Sequence, residues 1–138
     1  MDTKIDLKNS EFYENRELSW IKFDNRVLSE ARDKSIPLLE RLKFVSITSS
    51  NLDEFFMVRV ASLQDMVHAN YKKRDIAGMT ATEQLAAINK ATRELVETQY
   101  STYTRSLVPL LNKEGIYLVD EHETLTDEQA AFVDRYFT

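Results

Sequence analysis

The chain has 138 residues, 43% of them hydrophobic and 30% charged, with only two Gly and two Pro. That composition excludes disorder and collagen-like or loop-rich folds, and so few helix breakers predict long helices. Lys and Arg number 18 against 23 Asp and Glu, a net charge of −5, so no positive field is available for a nucleic-acid backbone, and zero Cys removes disulfides, thiolate metal sites and thiol nucleophiles.

Residues 1 to 13 show no helical stripe and read as a tail. From Glu17 the spacing of Trp20, Phe23, Val27, Leu28 and Ala31 puts them on one helix face, predicting a first helix to Asp33. Pro37 suits the first turn of a second helix, carried by Leu38, Leu39, Leu42 and Val45. The polar group Thr48-Ser49-Ser50 interrupts that pattern. Ser50 followed by Asp53 resembles a capping box, which predicts a third helix or a kink there, with Leu52, Phe55, Phe56, Val60 and Leu63 continuing to about Asn70.

Tyr71-Lys72-Lys73-Arg74 and Gly78 mark a loop. Thr80 with Glu83 forms another capping box, and Leu85, Ile88, Leu95, Leu107 and Leu111 define a fourth helix ending at Gly115, a suitable C-cap, with a kink expected near Pro109. Beyond it, Ile116-Tyr117-Leu118-Val119 reads as a strand and Thr126 with Gln129 as a third helix cap. A lone strand cannot satisfy its own ladder. The expected architecture is therefore all-α, an antiparallel bundle of about four helices over residues 1–115. The truncated start of an α/β domain is expected over residues 116–138.

Catalytic content is sparse. Gly78 and Gly115 stand too far apart for a phosphate-binding loop, and His68 and His122 lack partners at helical spacing, so both read as surface residues. No catalytic or metal-ligating residue is predicted. Trp20, Phe23, Phe44, Phe55 and Phe56 read as core, Arg41, Lys43 and Arg59 as surface ion-pair formers, and Lys72, Lys73 and Arg74 as a solvated loop. Within Ser49-Ser-Asn-Leu-Asp-Glu-Phe-Phe-Met-Val-Arg-Val60, capping and packing account for every residue except Asn51. Its amide presents an acceptor beside a donor, the complement of an adenine edge, so Asn51 is the candidate nucleotide-binding residue. Asp53 and Glu54 at the expected helix start argue that phosphates lie elsewhere.

Three runs carry a resemblance: Asn15-Arg-Glu-Leu-Ser-Trp-Ile-Lys-Phe-Asp-Asn-Arg-Val-Leu-Ser-Glu-Ala31, then Pro37-Leu-Leu-Glu-Arg-Leu-Lys-Phe44, then the segment containing Asn51. Together they resemble the N-terminal domain of the bacterial polyphosphate kinase family, closely over residues 14 to 63 and more loosely beyond. Asp24 stands where that family usually has Asn, and Ile36 stands where a polar residue is commoner. The resemblance implies an enzyme that reversibly moves the terminal phosphate of ATP onto polyphosphate through a phosphohistidine, with Mg2+ bound by domains absent from this chain. It implies that Asn51 contacts the nucleotide, that the segment after Gly115 opens a head domain, that the full-length enzyme is a homo-oligomer, and that the fragment alone is inactive. No nucleic-acid partner and no transmembrane segment are expected. The absence of a signal-like apolar run predicts a cytoplasmic protein, with peripheral membrane association left open. A helical adaptor that binds protein partners without nucleotide is the alternative from another functional class.

Overall fold

The computed structural model describes residues 6–137 and is helical throughout its regular structure. A short 3-10 turn, Ser10–Phe12, precedes α1, Arg16–Arg32. Next come α2, Leu38–Phe55, and α3, Ala61–His68, joined by a π-helical turn, Phe56–Val60, so that one rod runs from Leu38 to His68. A second rod consists of α4, Ala81–Thr102, a π-helical turn, Tyr103–Leu107, and α5, Val108–Lys113. The last helix is α6, Asp127–Tyr136.

The two rods form an antiparallel hairpin, because α3 packs on α4 while α2 reaches the far turn at Tyr103–Leu107. At ~1.5 Å per residue each rod is roughly 45 to 50 Å long. α1 lies against both α2 and α4. Ile21, Leu28 and Ala31 of α1 meet Leu52, Phe55, Val60 and Leu63 from the first rod and Ala81, Ile88 and Leu95 from the second, giving one continuous apolar core. Gln99, buried on the second rod, bridges to the first: it donates to the Val45 carbonyl at 2.9 Å and to Ser49 Oγ at 2.6 Å.

Several expectations hold. Thr80 and Glu83 form a reciprocal capping box, as do Thr126 and Gln129. Gly115 closes α5 with φ +77, a conformation that strains any side chain. Its neighbour Ile116 donates back to the Leu111 carbonyl at 2.9 Å, as in a Schellman cap. His68 and His122 are both exposed. The irregularity expected near Pro109 is the π turn Tyr103–Leu107 just before it, where the backbone accommodates the missing N–H.

Ser50 does not cap a helix. It lies inside α2, which runs on through Thr48, Ser49 and Ser50. The Thr48 hydroxyl donates to the Phe44 carbonyl at 2.9 Å, and Thr48 and Leu52 are buried on the core face, so the helix gains packing that outweighs the small propensity cost of three hydroxyl residues. The second and third predicted helices are thus one rod. Residues 116–119 form no strand, and no strand occurs among the described residues; their side chains are exposed and α6 buries none of its own.

Candidate functional site

A cleft of about 480 Å³ opens between α1 and the junction of α2 with its π turn. Its position is fixed from both sides. Asn15 caps α1, its Oδ1 accepting from the Glu17 and Leu18 amides, while its Nδ2 donates to Asp75 Oδ2 at 2.6 Å and Gln84 Oε1 at 2.9 Å. One buried side chain therefore starts α1 and ties it to the head of α4.

Glu17, in the first turn of α1, is buried and takes a forked ion pair from Arg59 on the π turn, with Nε at 3.1 Å from both carboxylate oxygens. That hydrogen bonding raises the Arg59 pKa, holding the guanidinium charged. Arg59 is thus an ion-pair former as expected, but its partner is buried and lies 42 positions away on α1. A π turn shifts the register of the helix face, and such turns recur at functional sites. Here it lets Val58 and Arg59 line the cleft while Val60 stays in the core.

The apolar wall consists of Trp20 stacked on Phe55, with ring centroids 4.4 Å apart and planes within 5°. Phe55 is fully buried and Trp20 half-buried, whereas Phe23 is 46% exposed and carries Arg26 5.8 Å above its ring. Only Phe55 of the five aromatics read as core is fully buried; Phe44 and Trp20 are partly so, and Phe23 and Phe56 are exposed. Phe23 is instead an open face on the cleft.

Asn51 lines this cleft from the middle of α2, not from a helix start. Its Nδ2 donates to Asp24 Oδ1 at 2.8 Å. Asp24 is wholly buried, and its other oxygen, Oδ2, has no hydrogen-bond partner. Burial raises the Asp24 pKa, and the Asn51 hydrogen bond pulls it partly back. One amide hydrogen of Asn51 is therefore committed, which corrects the expectation of a wholly free amide. An ionised carboxylate can only accept, so Asp24 fixes the amide nitrogen toward itself, leaving Oδ1 and the second N–H of Asn51 for a ligand.

Asp53 and Glu54 do not occupy a helix start, because α2 runs on through them, so they do not exclude phosphates on that ground. The cleft carries Arg16 and Arg26, neither of which is ion-paired among the described residues, with Glu54 as an exposed acid on the wall. Neither arginine stood out in the sequence, since each falls on a polar helix face of ordinary composition. Among the described residues no cluster of His, Asp and Glu is arranged to hold a metal, and no helix is long and apolar enough to cross a membrane.

Residues 13–119 match the family model described as the polyphosphate kinase N-terminal domain. The chain is 55% identical over 126 residues to a polyphosphate kinase of Lactiplantibacillus plantarum, covering 91% of this chain and 17% of the relative. It is 49% identical over 134 residues to that of Bacillus anthracis, covering 96% and 19%. The crystal structure of polyphosphate kinase from Porphyromonas gingivalis superposes with a TM-score of 0.72 at 33% identity, over 90% of this chain and 17% of that one. The chain thus spans less than a fifth of these relatives, and it belongs to the polyphosphate kinase N-terminal domain family.

Proposed function

We propose that this chain is the nucleotide-facing domain of a polyphosphate kinase, in which the 480 Å³ cleft receives the adenine of ATP. The supporting observation is the Asp24–Asn51 pair: a buried carboxylate holds one amide hydrogen of a residue that lines a cleft walled by Trp20 and Phe23, leaving its oxygen and second N–H for a ligand. An adenine edge offers N6–H₂ beside a ring-nitrogen acceptor, the matching pattern, and the aromatic faces accept the base plane. Arg16 and Arg26 add positive charge beside it for the nucleotide's phosphates. The reaction is the reversible transfer of the terminal phosphate of ATP to polyphosphate. The phosphohistidine and the Mg2+ belong to segments outside this chain; His68 and His122 are exposed, do not line this cleft and take no part.

Residues 116–138 then open the head domain. Their exposed apolar residues are covered there by further strands and by a second copy in a homo-oligomer. The assembled enzyme acts in the cytoplasm.

In the full-length enzyme, Asn51→Ala raises the KM for ATP by an amount equivalent to about 1 to 3 kcal/mol, the range for losing a partly buried hydrogen-bonded pair. An unchanged KM for ATP would remove Asn51 from the site.

A further inference from the structure

A second cleft, of about 710 Å³, lies at the other end of α1, between the α1–α2 connection and the π turn of the second rod. Its charge is unlike that of the chain around it. Arg32, Lys34, Arg41 and Arg105 line it against a single acid, Glu97, in a chain of net charge −5. Among the described residues none of these four cations has a carboxylate within ion-pair distance.

Arg41 is the unusual member. Read from sequence as a surface ion-pair former, it is 4% exposed. Its Nε donates to the Ala31 carbonyl at 2.8 Å, and Nη2 reaches Ser106 Oγ at a long 3.4 Å. The carbonyl at the end of α1 supplies only partial negative charge, and Asp33, whose carboxyl Arg41 helps to hold ionised, lies beyond ion-pair distance, so the buried guanidinium has no carboxylate in direct contact. The Ser106 oxygen accepts from it, which leaves the Ser106 hydroxyl free to donate, and the Ser101 side chain on the same lining has no hydrogen-bond partner among the described residues.

Ser106 and Arg105 are both on the π turn Tyr103–Leu107. The other π turn, Phe56–Val60, lines the first cleft, so each deformation of a rod coincides with one of the two clefts.

We propose that the second cleft binds a short inorganic oligophosphate, with oxyanions on Arg32, Lys34 and Arg105 and Arg41 as a fixed charge behind them. Guanidinium forks and hydroxyl donors suit phosphoryl oxygens, and the volume admits several linked phosphates. A long nucleic acid is disfavoured because the surrounding chain is negative. The existence of an anion site rests on this geometry alone, while the choice of oligophosphate rests on the proposed polyphosphate chemistry.

The test is titration of sodium tripolyphosphate into the chain, followed by calorimetry and by amide chemical shifts. Saturable 1:1 binding is expected, with the largest shifts at residues 32–34 and 101–106, weakened at least about tenfold by Arg32→Gln/Lys34→Gln/Arg105→Gln. All three side chains are exposed, and Arg105→Gln alone, expected to weaken binding several-fold, serves if the triple variant misfolds. Lys72→Gln/Lys73→Gln should leave binding unchanged. No saturable binding, equal affinity in the cleft variants, or shifts confined to residues 16–26 and 51–59 would overturn the proposal. Because no nucleotide is used, a negative result here is separate from an unchanged KM for ATP in Asn51→Ala.

Discussion

Asn51 and Asp24 meet across 27 positions of sequence, the Asn51 amide donating to a carboxylate that no solvent reaches. The relationship makes Asp24 a positioning residue. Two amides at these positions could pair in either orientation; an ionised Asp permits only one.

The buried Asp24 also has a pH signature. Its folded pKa is raised by burial, so the folded state binds the proton more tightly than the unfolded state. The associated stability is fully present below the ordinary carboxylate range and is lost as pH rises through the raised folded pKa. Asp24→Asn removes this term. Urea midpoints measured from pH 4 to 7 should decline with pH more steeply in the parent than in Asp24→Asn, after allowing for the opposite slopes of Asp33 and Glu83, whose pKa values are lowered by hydrogen bonds to Ser35 and Thr80. Parallel curves for the two proteins would show that Asp24 is not desolvated.

Phe55 and Phe23 should separate packing from ligand contact. Phe55→Ala opens a cavity under Trp20 and should cost about 3 to 5 kcal/mol in urea melts. Phe23→Ala, at an open position, should change stability by less than about 0.5 kcal/mol yet raise the KM for ATP in the full-length enzyme. A large stability loss in Phe23→Ala would mean that this ring belongs to the core and not to the cleft.

The Glu17–Arg59 pair has one buried and one part-exposed partner. Arg59→Ala leaves Glu17 buried and unpaired, and solvent access from the Arg59 side moderates the cost to about 1 to 3 kcal/mol. Glu17→Gln/Arg59→Ala should recover part of that loss, because the neutral amide tolerates burial better. A double variant no more stable than Arg59→Ala would contradict the ion-pair account.

Much of this fold was legible because its signals are local. Thr80 with Glu83, Thr126 with Gln129, and Gly115 each act within one turn, and the stripe of the second rod lies on the face its spacing specified, whereas in α1 only Leu28 and Ala31 of the predicted stripe are fully buried and Ile21 and Asp24 take the place given to Phe23. Ser50 with Asp53 showed the same local pattern and failed. Nothing near it breaks a helix, and the burial of Thr48 and Leu52 could not be read from a four-residue motif. At the site, Asn51 stood out by chemistry, but its partner Asp24, the Glu17–Arg59 clamp and the buried Arg41 depend on how α1 lies across both rods. Residues 27, 42 and 10 positions apart carry no mutual signal in a single sequence. The π turns likewise left no trace except Pro109.

In the proposed function Asn51, turned by Asp24, reads the base. Replacing the N6 amine of ATP by the oxygen of inosine triphosphate removes the donor that Asn51 Oδ1 would accept. The most direct measurement is kcat/KM for ATP relative to inosine triphosphate in the full-length enzyme and in Asn51→Ala. A preference for ATP of roughly tenfold that collapses toward unity in the variant is the predicted result. An equal preference in both proteins would contradict it.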